Sequence, residues 1–242
     1  MRIDLYLAEA GIVSSRTEAR RCIEGGLVTV DGKEITKPSF DVSGLEELVA
    51  VKPRERSFVG RGGLKLEGAF ECFGISAEGK LCVDIGASSG GFTDCLLQHG
   101  AKHVIALDSG RDQLVESLRR DARVTSVEGY NARYMTPSDL PYTPQLAVMD
   151  VSFISATYII PALSHCLVEG ADFVLLIKPQ FEVGREGVGK GGIVKSQSAR
   201  DAAVKRVTEC ASGFGFRLMR MIESPIRGGD GNIEYLAHFV RC

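Results

Sequence analysis

The chain has 242 residues, of which 44% are hydrophobic and 25% charged, with a formal net charge of −2, a balance that is typical of a folded protein and excludes wholesale disorder. It has neither an apolar run of the roughly 20 residues that a membrane helix needs nor the apolar core of a secretory signal. The seven cysteines are scattered and include no Cys-x-x-Cys pair, which predicts free thiols in the cytoplasm. His99 and His103 are four residues apart, but Gly100 would interrupt a helix between them, so we expect no metal site.

The N-terminal part of the chain has the pattern of a small α+β unit. Residues 2–10 predict a short helix, and residues 16–24 predict a second one. Residues 27–35 alternate around an Asp-Gly pair, which predicts a β-hairpin, and residues 42–51 add one more strand. Acidic and basic residues are nearly balanced here, so charge alone leaves both an RNA-binding surface and an ordinary solvated helix face open.

The rest of the chain alternates strands with helices. A polar, glycine-rich stretch suggests a linker over residues 57–63, between an N-terminal domain (1–56) and a C-terminal domain (64–242). The alternation predicts a doubly wound parallel sheet, and two successive strands at the end predict an antiparallel hairpin at its edge. The five parallel strands are predicted at 80–86, 103–108, 124–129, 145–152 and 171–178, and the helices at about 91–99, 112–120, 155–167 and 198–213.

The sharpest local motif, DIGASSGGFTD, spans residues 84–94 between the first of these strands and its helix. Its glycines allow a tight turn and a close approach to a ligand. The alternative to a ligand-binding role is that these glycines serve only to form the turn. The dinucleotide fingerprint fails because Ser88 stands at its middle glycine, whereas the acid-x-Gly-x-x-x-Gly pattern of S-adenosylmethionine loops fits.

Two polar residues extend this candidate cofactor site. Asp108 ends the second strand, where a carboxylate can accept both hydroxyls of an adenosine ribose. Asn131 follows the third strand and is expected near the adenine or the methionine part. The candidate cofactor-binding residues are therefore Asp84, Gly86, Ala87, Ser88, Gly90, Gly91, Phe92, Asp108 and Asn131.

The segment GREGVGKG at 184–191 nearly satisfies the phosphate-loop pattern. It fails at the last position, where Gly191 replaces the hydroxyl residue that would hold magnesium. We expect a mobile loop in which Arg185, Lys190 and Lys195 are available to contact RNA phosphates. A plain flexible loop is the alternative.

Four further polar residues fall where an open α/β sheet places its active site. Lys65 opens the helix before the first strand, Asp150 and Lys178 end the fourth and fifth strands, and Glu234 begins the last strand. Burying an isolated charge at the end of an apolar strand is costly, and pairing Asp150 with Lys178 would remove that cost. A purely structural ion pair between these two residues is therefore the alternative to a catalytic role.

The segment SRTEARRCIEGGLVTVDGK at 15–33 resembles the small RNA-binding domain first described in ribosomal protein S-four. In that family the helix arginines and the hairpin contact RNA phosphates. The resemblance, together with the basic residues of the linker and the glycine-rich loop, implies RNA contacts by Arg16, Arg20, Arg21, Lys33, Arg54, Arg56, Arg61, Arg185 and Lys190.

The order Lys-Asp-Lys-Glu resembles the FtsJ-type ribose 2′-O-methyltransferases. With GRGGLKL, LAVMDVSFIS, LLIKPQFE and GGDGNIEYL, the chain is similar throughout to the TlyA family, known both as hemolysins and as cytidine 2′-O-methyltransferases of ribosomal RNA. The implied fold is α/β, a Rossmann-like seven-stranded methyltransferase domain with a small N-terminal α+β RNA-binding domain. The implied roles are proton acceptor for Lys178, positioning of the ribose hydroxyl for Lys65, and orientation of the lysines for Asp150 and Glu234.

The same resemblance implies S-adenosylmethionine as the cofactor and ribosomal RNA or a ribosomal subunit as the partner, with no metal, no membrane and a monomeric state. The chain lacks the terminal extensions of the longer family form, so we expect 23S rather than 16S rRNA as the substrate. A cytolysin and a non-catalytic ribosome-assembly factor are the alternatives. A pseudouridine synthase fits less well, because its GRLD-like motif is absent.

Overall fold

The computed structural model describes residues 1–13, 15–51 and 58–242, with the backbone alone described at positions 18, 21 and 185. The chain forms two compact units, residues 1–57 and 58–242. Each unit has its own buried apolar residues. The predicted linker residues Arg54 and Arg56 lie outside the described residues.

The N-terminal unit packs two helices on a small antiparallel sheet. Helices α1 (Ile3–Glu9) and α2 (Arg16–Glu24) precede strands β1 (Val28–Val30), β2 (Lys33–Glu34) and β3 (Val49–Val51), in the order β2-β1-β3. The hairpin turn has positive φ at both of its central residues, as its Asp-Gly sequence predicts. The core joins both helices to β1 through Ile3, Leu7, Ala19, Cys22, Ile23, Val28, Val30 and Val42.

The C-terminal unit is a seven-stranded sheet between two layers of helices, which confirms the predicted fold class. Its strand order is β6-β5-β4-β7-β8-β10-β9. Its elements are α3 (Gly62–Phe73), β4 (Leu81–Ile85), α4 (Gly91–Gln98), β5 (His103–Asp108), α5 (Glu116–Arg119), β6 (Val124–Glu128), β7 (Leu146–Met149), α6 (Ile160–Ser164), β8 (Asp172–Ile177), α7 (Pro179–Glu182), α8 (Gln197–Gly213), β9 (Phe216–Glu223) and β10 (Tyr235–Arg241).

The last two strands form the predicted antiparallel hairpin. Strand β10 lies between β8 and β9 and runs antiparallel to both, which leaves β9 at the edge. Tyr235 of β10 pairs with Ile177 of β8. The residues just beyond this pair, Glu234 and Lys178, are therefore neighbours across the two strands.

Alternation along the central strand assigns its side chains to two helix layers. Val83 and Ile85 pack with residues of α6 and α8, whereas Cys82 packs with residues of α3 and α4. Since successive strand side chains face opposite sides, Asp84 shares the α3–α4 side with Cys82. A carboxylate is thereby placed inside the layer rather than at the open end of the strand.

Two predicted helices are shorter than the sequence suggests. The helix expected over 112–120 is only α5, because the carboxylate of Glu128 accepts the backbone N–H groups of Asp112, Gln113 and Leu114 at 2.8–3.0 Å and holds them in a loop. The helix expected over 155–167 is α6 alone, preceded by a 3₁₀ turn. Pro161 lies in the first turn of α6, where its missing N–H group costs no hydrogen bond within the helix.

No helix in the described part of the chain is both long and apolar enough to cross a bilayer. All seven cysteines lie in the described part of the chain, and none of them forms a disulfide bond there.

Candidate active site

Strand register determines which residues meet at the carboxyl edge of the sheet. The last residue of β4 pairs with Leu107 on one side and with Met149 on the other. The next residue on each strand is Gly86, Asp108 or Asp150, so these three stand side by side. This edge is where ligands bind in open α/β sheets.

The loop after β4 requires glycine at two points. Gly86 has φ +85°, and a Cβ there would overlap the carbonyl oxygen of Asp150. Gly90 has φ +102° and precedes α4, where a Cβ would overlap the side chain of Leu118. The loop can therefore lie flat against the neighbouring strand and turn directly into the helix.

A cavity of about 450 Å³ lies against this loop. Asp108 stands in its wall, where its two carboxylate oxygens accept the N–H groups of Ser88 and Gly110, each at 2.7 Å. These bonds fix the orientation of the carboxylate and leave lone pairs on both oxygens. The wall also includes Gly86, Gln113, Tyr130, Asp150 and Phe153.

A second, smaller cavity of about 200 Å³ adjoins the first. The two cavities share Gly86, Ser88, Asp150 and Ser152 in their walls. The smaller one adds the predicted cofactor residues Ala87, Gly91 and Phe92, together with Lys178. Of the predicted cofactor residues, Asp84, Gly90 and Asn131 line neither cavity.

Asp84 is completely buried beneath α4. Its Oδ2 accepts a hydrogen bond from Thr93 Oγ1 at 2.6 Å, and its Oδ1 has no hydrogen-bond partner among the described residues. Burial raises the pKa of Asp84 to about 7, and the nearby charges of Asp150 and Asp108 add to the rise. The carboxyl group therefore holds a proton at a pH where exposed aspartates are ionised.

Asn131 caps a short helical turn instead of lining the cavities. Its side-chain oxygen accepts the backbone N–H of Arg133 at 3.2 Å. Its neighbours Tyr130 and Ala132 line the larger cavity. The predicted segment is therefore next to the cavity, with the asparagine side chain engaged in backbone capping.

The first lysine–carboxylate pair lies in the wall of the smaller cavity. Lys178 Nζ is 2.6 Å from Asp150 Oδ1 and donates a hydrogen bond of 2.8 Å to Ser152 Oγ. Both charged side chains are mostly buried, with 11% and 20% exposed. The amine is thereby held in one place at the carboxyl edge, next to the glycine loop that follows β4.

The second pair is more deeply buried. Lys65 Nζ is 2.6 Å from Glu234 Oε2, with only 9% and 2% of the two side chains exposed. Glu234 Oε1 accepts a second hydrogen bond from Gln180 Nε2 at 3.0 Å. Gln180 follows Lys178 by two residues and Glu234 is the cross-strand neighbour of Lys178, so the two pairs are adjacent in the sheet. Lys65 and Glu234 themselves line neither cavity.

Sequence reasoning did not identify Ser152 and Gln180, although each lies two residues beyond a predicted charged residue. It also missed a buried carboxylate, Glu182, which accepts hydrogen bonds from Ser155 Oγ at 2.5 Å and from Arg206 at 3.1 Å. Glu182 thus anchors the loop after Asp150. In that loop Phe153 has a positive φ of 63° and is 92% exposed.

The predicted RNA-binding residues are distributed over both units. Arg16, Arg20 and Lys33 are exposed on the N-terminal unit, and Arg61 and Lys190 on the C-terminal unit. One terminal nitrogen of the Arg61 guanidinium donates to a backbone carbonyl at 2.8 Å. The side chains of Arg21 and Arg185 lie outside the described structure, as do Arg54 and Arg56.

His99 contacts an acidic residue of the neighbouring helix. Its ring lies 2.5 Å from Glu67 Oε2, and Cys95 Sγ is 3.8 Å from the same oxygen. His103 contacts Tyr142 Oη at 2.9 Å. The two histidines that the sequence places close together therefore have separate partners.

Comparisons with known proteins identify the family of both units. The family model of FtsJ-like methyltransferases matches residues 58–241, and that of the S4 domain matches residues 1–48. The 16S/23S rRNA (cytidine-2′-O)-methyltransferase TlyA of Mycobacterium tuberculosis is 44% identical, over 97% of this chain and 87% of its own length. Hemolysin A of Brachyspira hyodysenteriae is also 44% identical, over 99% of this chain and 100% of its own length.

A solved structure is also similar to this chain over its whole length. A protein from Streptococcus thermophilus described as a hemolysin superposes with a TM-score of 0.75 at 44% identity. The match covers 100% of this chain and 88% of that one. Fold and sequence similarity therefore extend over both units.

The raised pKa of Asp84 predicts a specific pH dependence of stability. The folded protein keeps this proton up to about pH 7, whereas an unfolded aspartate loses it near pH 4, so the contribution of Asp84 to stability falls as pH rises between these values. In Asp84→Asn this loss is absent. Urea unfolding at pH 5 and pH 8 should show the wild type losing roughly 2 kcal/mol more than the variant. Parallel pH profiles would contradict the assignment.

Proposed function

Because the chain belongs to the TlyA family of FtsJ-like methyltransferases, we propose that it transfers a methyl group from S-adenosylmethionine to the 2′ oxygen of a cytidine in ribosomal RNA. One observation supports the site of this reaction best. The Lys178–Asp150 ion pair lines a cavity that adjoins the glycine loop and the larger cavity beside Asp108.

The residues around the loop fit S-adenosylmethionine. The cofactor is cationic and phosphate-free, and the larger cavity beside the loop is lined by the carboxyl groups of Asp108 and Asp150, with no arginine or lysine among its described lining residues. Asp108 would hold the ribose hydroxyls with the lone pairs that its two backbone hydrogen bonds leave available.

When bound, the cofactor supplies an electrophilic methyl group. The ribose hydroxyl must lose its proton as its oxygen bonds to the methyl carbon. Lys178 Nζ is the proposed acceptor of that proton, after its ammonium form has released one to solvent. Asp150 and Ser152 hold this nitrogen in place, at 2.6 and 2.8 Å. Fixing the amine relative to the hydroxyl contributes to the rate by lowering the entropic cost of alignment.

Lys65 and Glu234 have the second role in the proposal. Glu234 neutralises the buried ammonium of Lys65 and is itself held by Gln180. We infer that Lys65 orients the ribose hydroxyl toward the methyl group. In this scheme each lysine has its own carboxylate, which prevents two uncompensated ammonium groups from standing in one buried site.

Two observations support ribosomal RNA as the proposed substrate. The N-terminal unit matches the S4 domain, and the M. tuberculosis relative is named for both 16S and 23S rRNA. The preference for 23S rRNA stays a prediction. The hemolysin alternative has only the names of relatives in its favour, and a non-catalytic assembly factor would bind RNA without turnover.

The central test removes the proposed proton acceptor. Lys178→Ala should reduce methyl transfer from tritium-labelled S-adenosylmethionine to unmethylated ribosomal RNA by at least about 100-fold, the usual contribution of a positioned base. Cofactor binding, measured by calorimetry, should persist. Lys102→Ala is the matched control, since Lys102 is exposed before β5, at the opposite edge of the sheet. Retained activity in Lys178→Ala would overturn the role of Lys178.

A neighbouring pair of glycines tests the position of Glu234. A Cβ at Gly228 would lie 2.5 Å from Glu234 Oε1, whereas one at Gly229 would meet nothing within 4 Å. Gly228→Ala should therefore displace the carboxylate and lower the rate of methyl transfer by roughly 10- to 100-fold, because small misplacements are costly in catalysis. Gly229→Ala should stay within about twofold of the wild type. Equal rates in the two variants would show that the position of Glu234 does not matter.

A further inference from the structure

A single carboxylate in the N-terminal unit gathers three arginines. Asp4 Oδ1 accepts a hydrogen bond from Arg2 Nε at 2.9 Å, and Oδ2 accepts from Arg2 at 3.1 Å. The same Oδ2 accepts from Arg16 Nε at 3.1 Å and from Arg20 Nε at 3.3 Å. We refer to these four residues as the Asp4 cluster.

The cluster has a buried centre and an exposed rim. The Asp4 side chain is 0% exposed, whereas those of Arg2, Arg16 and Arg20 are 45%, 50% and 53% exposed. Arg16 and Arg20 use only their Nε atoms toward Asp4. Their terminal amino groups make no hydrogen bond within the described part of the chain and remain available on the outer side.

The position of Asp4 is fixed by the fold around it. Its neighbour Ile3 is completely buried, and the backbone N–H groups of Ile3 and Asp4 donate to the carbonyls of Phe40 and Pro38 at 2.8 and 3.3 Å. The hydrogen bond from Arg2 has the largest effect on the pKa of Asp4, and together with those from Arg16 and Arg20 it lowers this pKa to about 2. The carboxylate is therefore charged at any physiological pH.

Three guanidinium groups around one carboxylate retain an excess of two positive charges. A guanidinium presents paired N–H donors that match the oxygens of a phosphate, and immobilising it in advance reduces the entropy lost on binding. Without a shared carboxylate, three arginines in one place would repel each other.

We propose that Asp4 is a positioning residue that holds Arg2, Arg16 and Arg20 as one surface for the phosphates of the RNA backbone. The inference rests on the proposed function for the identity of the partner. It adds Arg2 to the RNA-binding residues expected from the sequence and assigns a role to a buried acid that itself would repel RNA.

Asp4→Asn separates this role from a simple charge effect. The change adds one positive charge to the surface, so if only net charge mattered the variant would bind RNA more tightly. If Asp4 positions the arginines, the variant binds more weakly, because an amide has one acceptor oxygen and turns N–H donors toward the guanidinium groups. The two accounts thus predict opposite signs.

The experiment measures the affinity of the full-length protein for unmethylated ribosomal RNA at several KCl concentrations. Asp4→Asn should weaken binding by about fivefold or more at 100 mM and reduce the slope of log affinity against log salt by roughly 1 to 2. Glu9→Gln is the matched control, because Glu9 is an exposed residue of the same helix and its loss changes net charge equally. It should bind as tightly as the wild type or slightly more tightly.

Folding of the variants is checked by circular dichroism. If Asp4→Asn fails to fold, Arg16→Lys and Arg20→Lys replace it, since each keeps the charge beside Asp4 but loses the planar pair of donors. Each should weaken binding by about threefold or more, and unchanged affinity would overturn the proposal.

The outcomes distinguish this inference from the proposed function. If the wild type binds and methylates ribosomal RNA while Asp4→Asn matches Glu9→Gln, the positioning role of Asp4 is wrong and the proposed function stands. If the wild type neither binds nor methylates ribosomal RNA, the proposed function itself is wrong.

Discussion

Pairing each buried lysine with its own carboxylate is the constraint on which the catalytic unit depends. Lys65 and Lys178 are almost excluded from water, and an unpaired ammonium there would cost several kcal/mol. The sheet satisfies both pairs by its order: parallel β7 delivers Asp150, and β10, inserted antiparallel beside β8, delivers Glu234. The glycine loop after β4 then lies against the same edge. The topology that places the ion pairs therefore also places them next to the candidate cofactor cavity.

The two units use the same physical device for different purposes. In the catalytic unit, carboxylates hold two mostly buried lysines. In the N-terminal unit, buried Asp4 holds three arginines at the surface. Local arrangement therefore creates a positive patch in a chain whose net charge is −2. A protein that must dock on RNA needs such a patch rather than a high total charge.

Much of the fold and part of the site were predictable from sequence. Apolar strands that alternate with helices, and charged residues placed directly after those strands, gave the sheet and the positions of Asp150 and Lys178. Sequence could not show that Asp84 faces α4 instead of the cavity, because that depends on which side of the sheet each helix covers. It also could not show that Glu128 captures the N–H groups of residues 112–114 and shortens α5, since this contact joins segments distant in sequence. The roles of Gln180 and Ser152 could not be predicted either, because they follow from hydrogen bonds to Glu234 and Lys178 that only the structure shows.

The most direct measurement is the transfer of tritium from labelled S-adenosylmethionine to separated small and large ribosomal subunits that lack the modification, followed by mapping of ribose methylation. The account predicts label on the 2′ oxygen of a cytidine in ribosomal RNA, with the large subunit as the expected target. Label in both subunits would retain the enzyme and correct the substrate range. Absence of label from both subunits and from their free RNA, with RNA binding intact, would contradict the account and favour a non-catalytic RNA-binding factor.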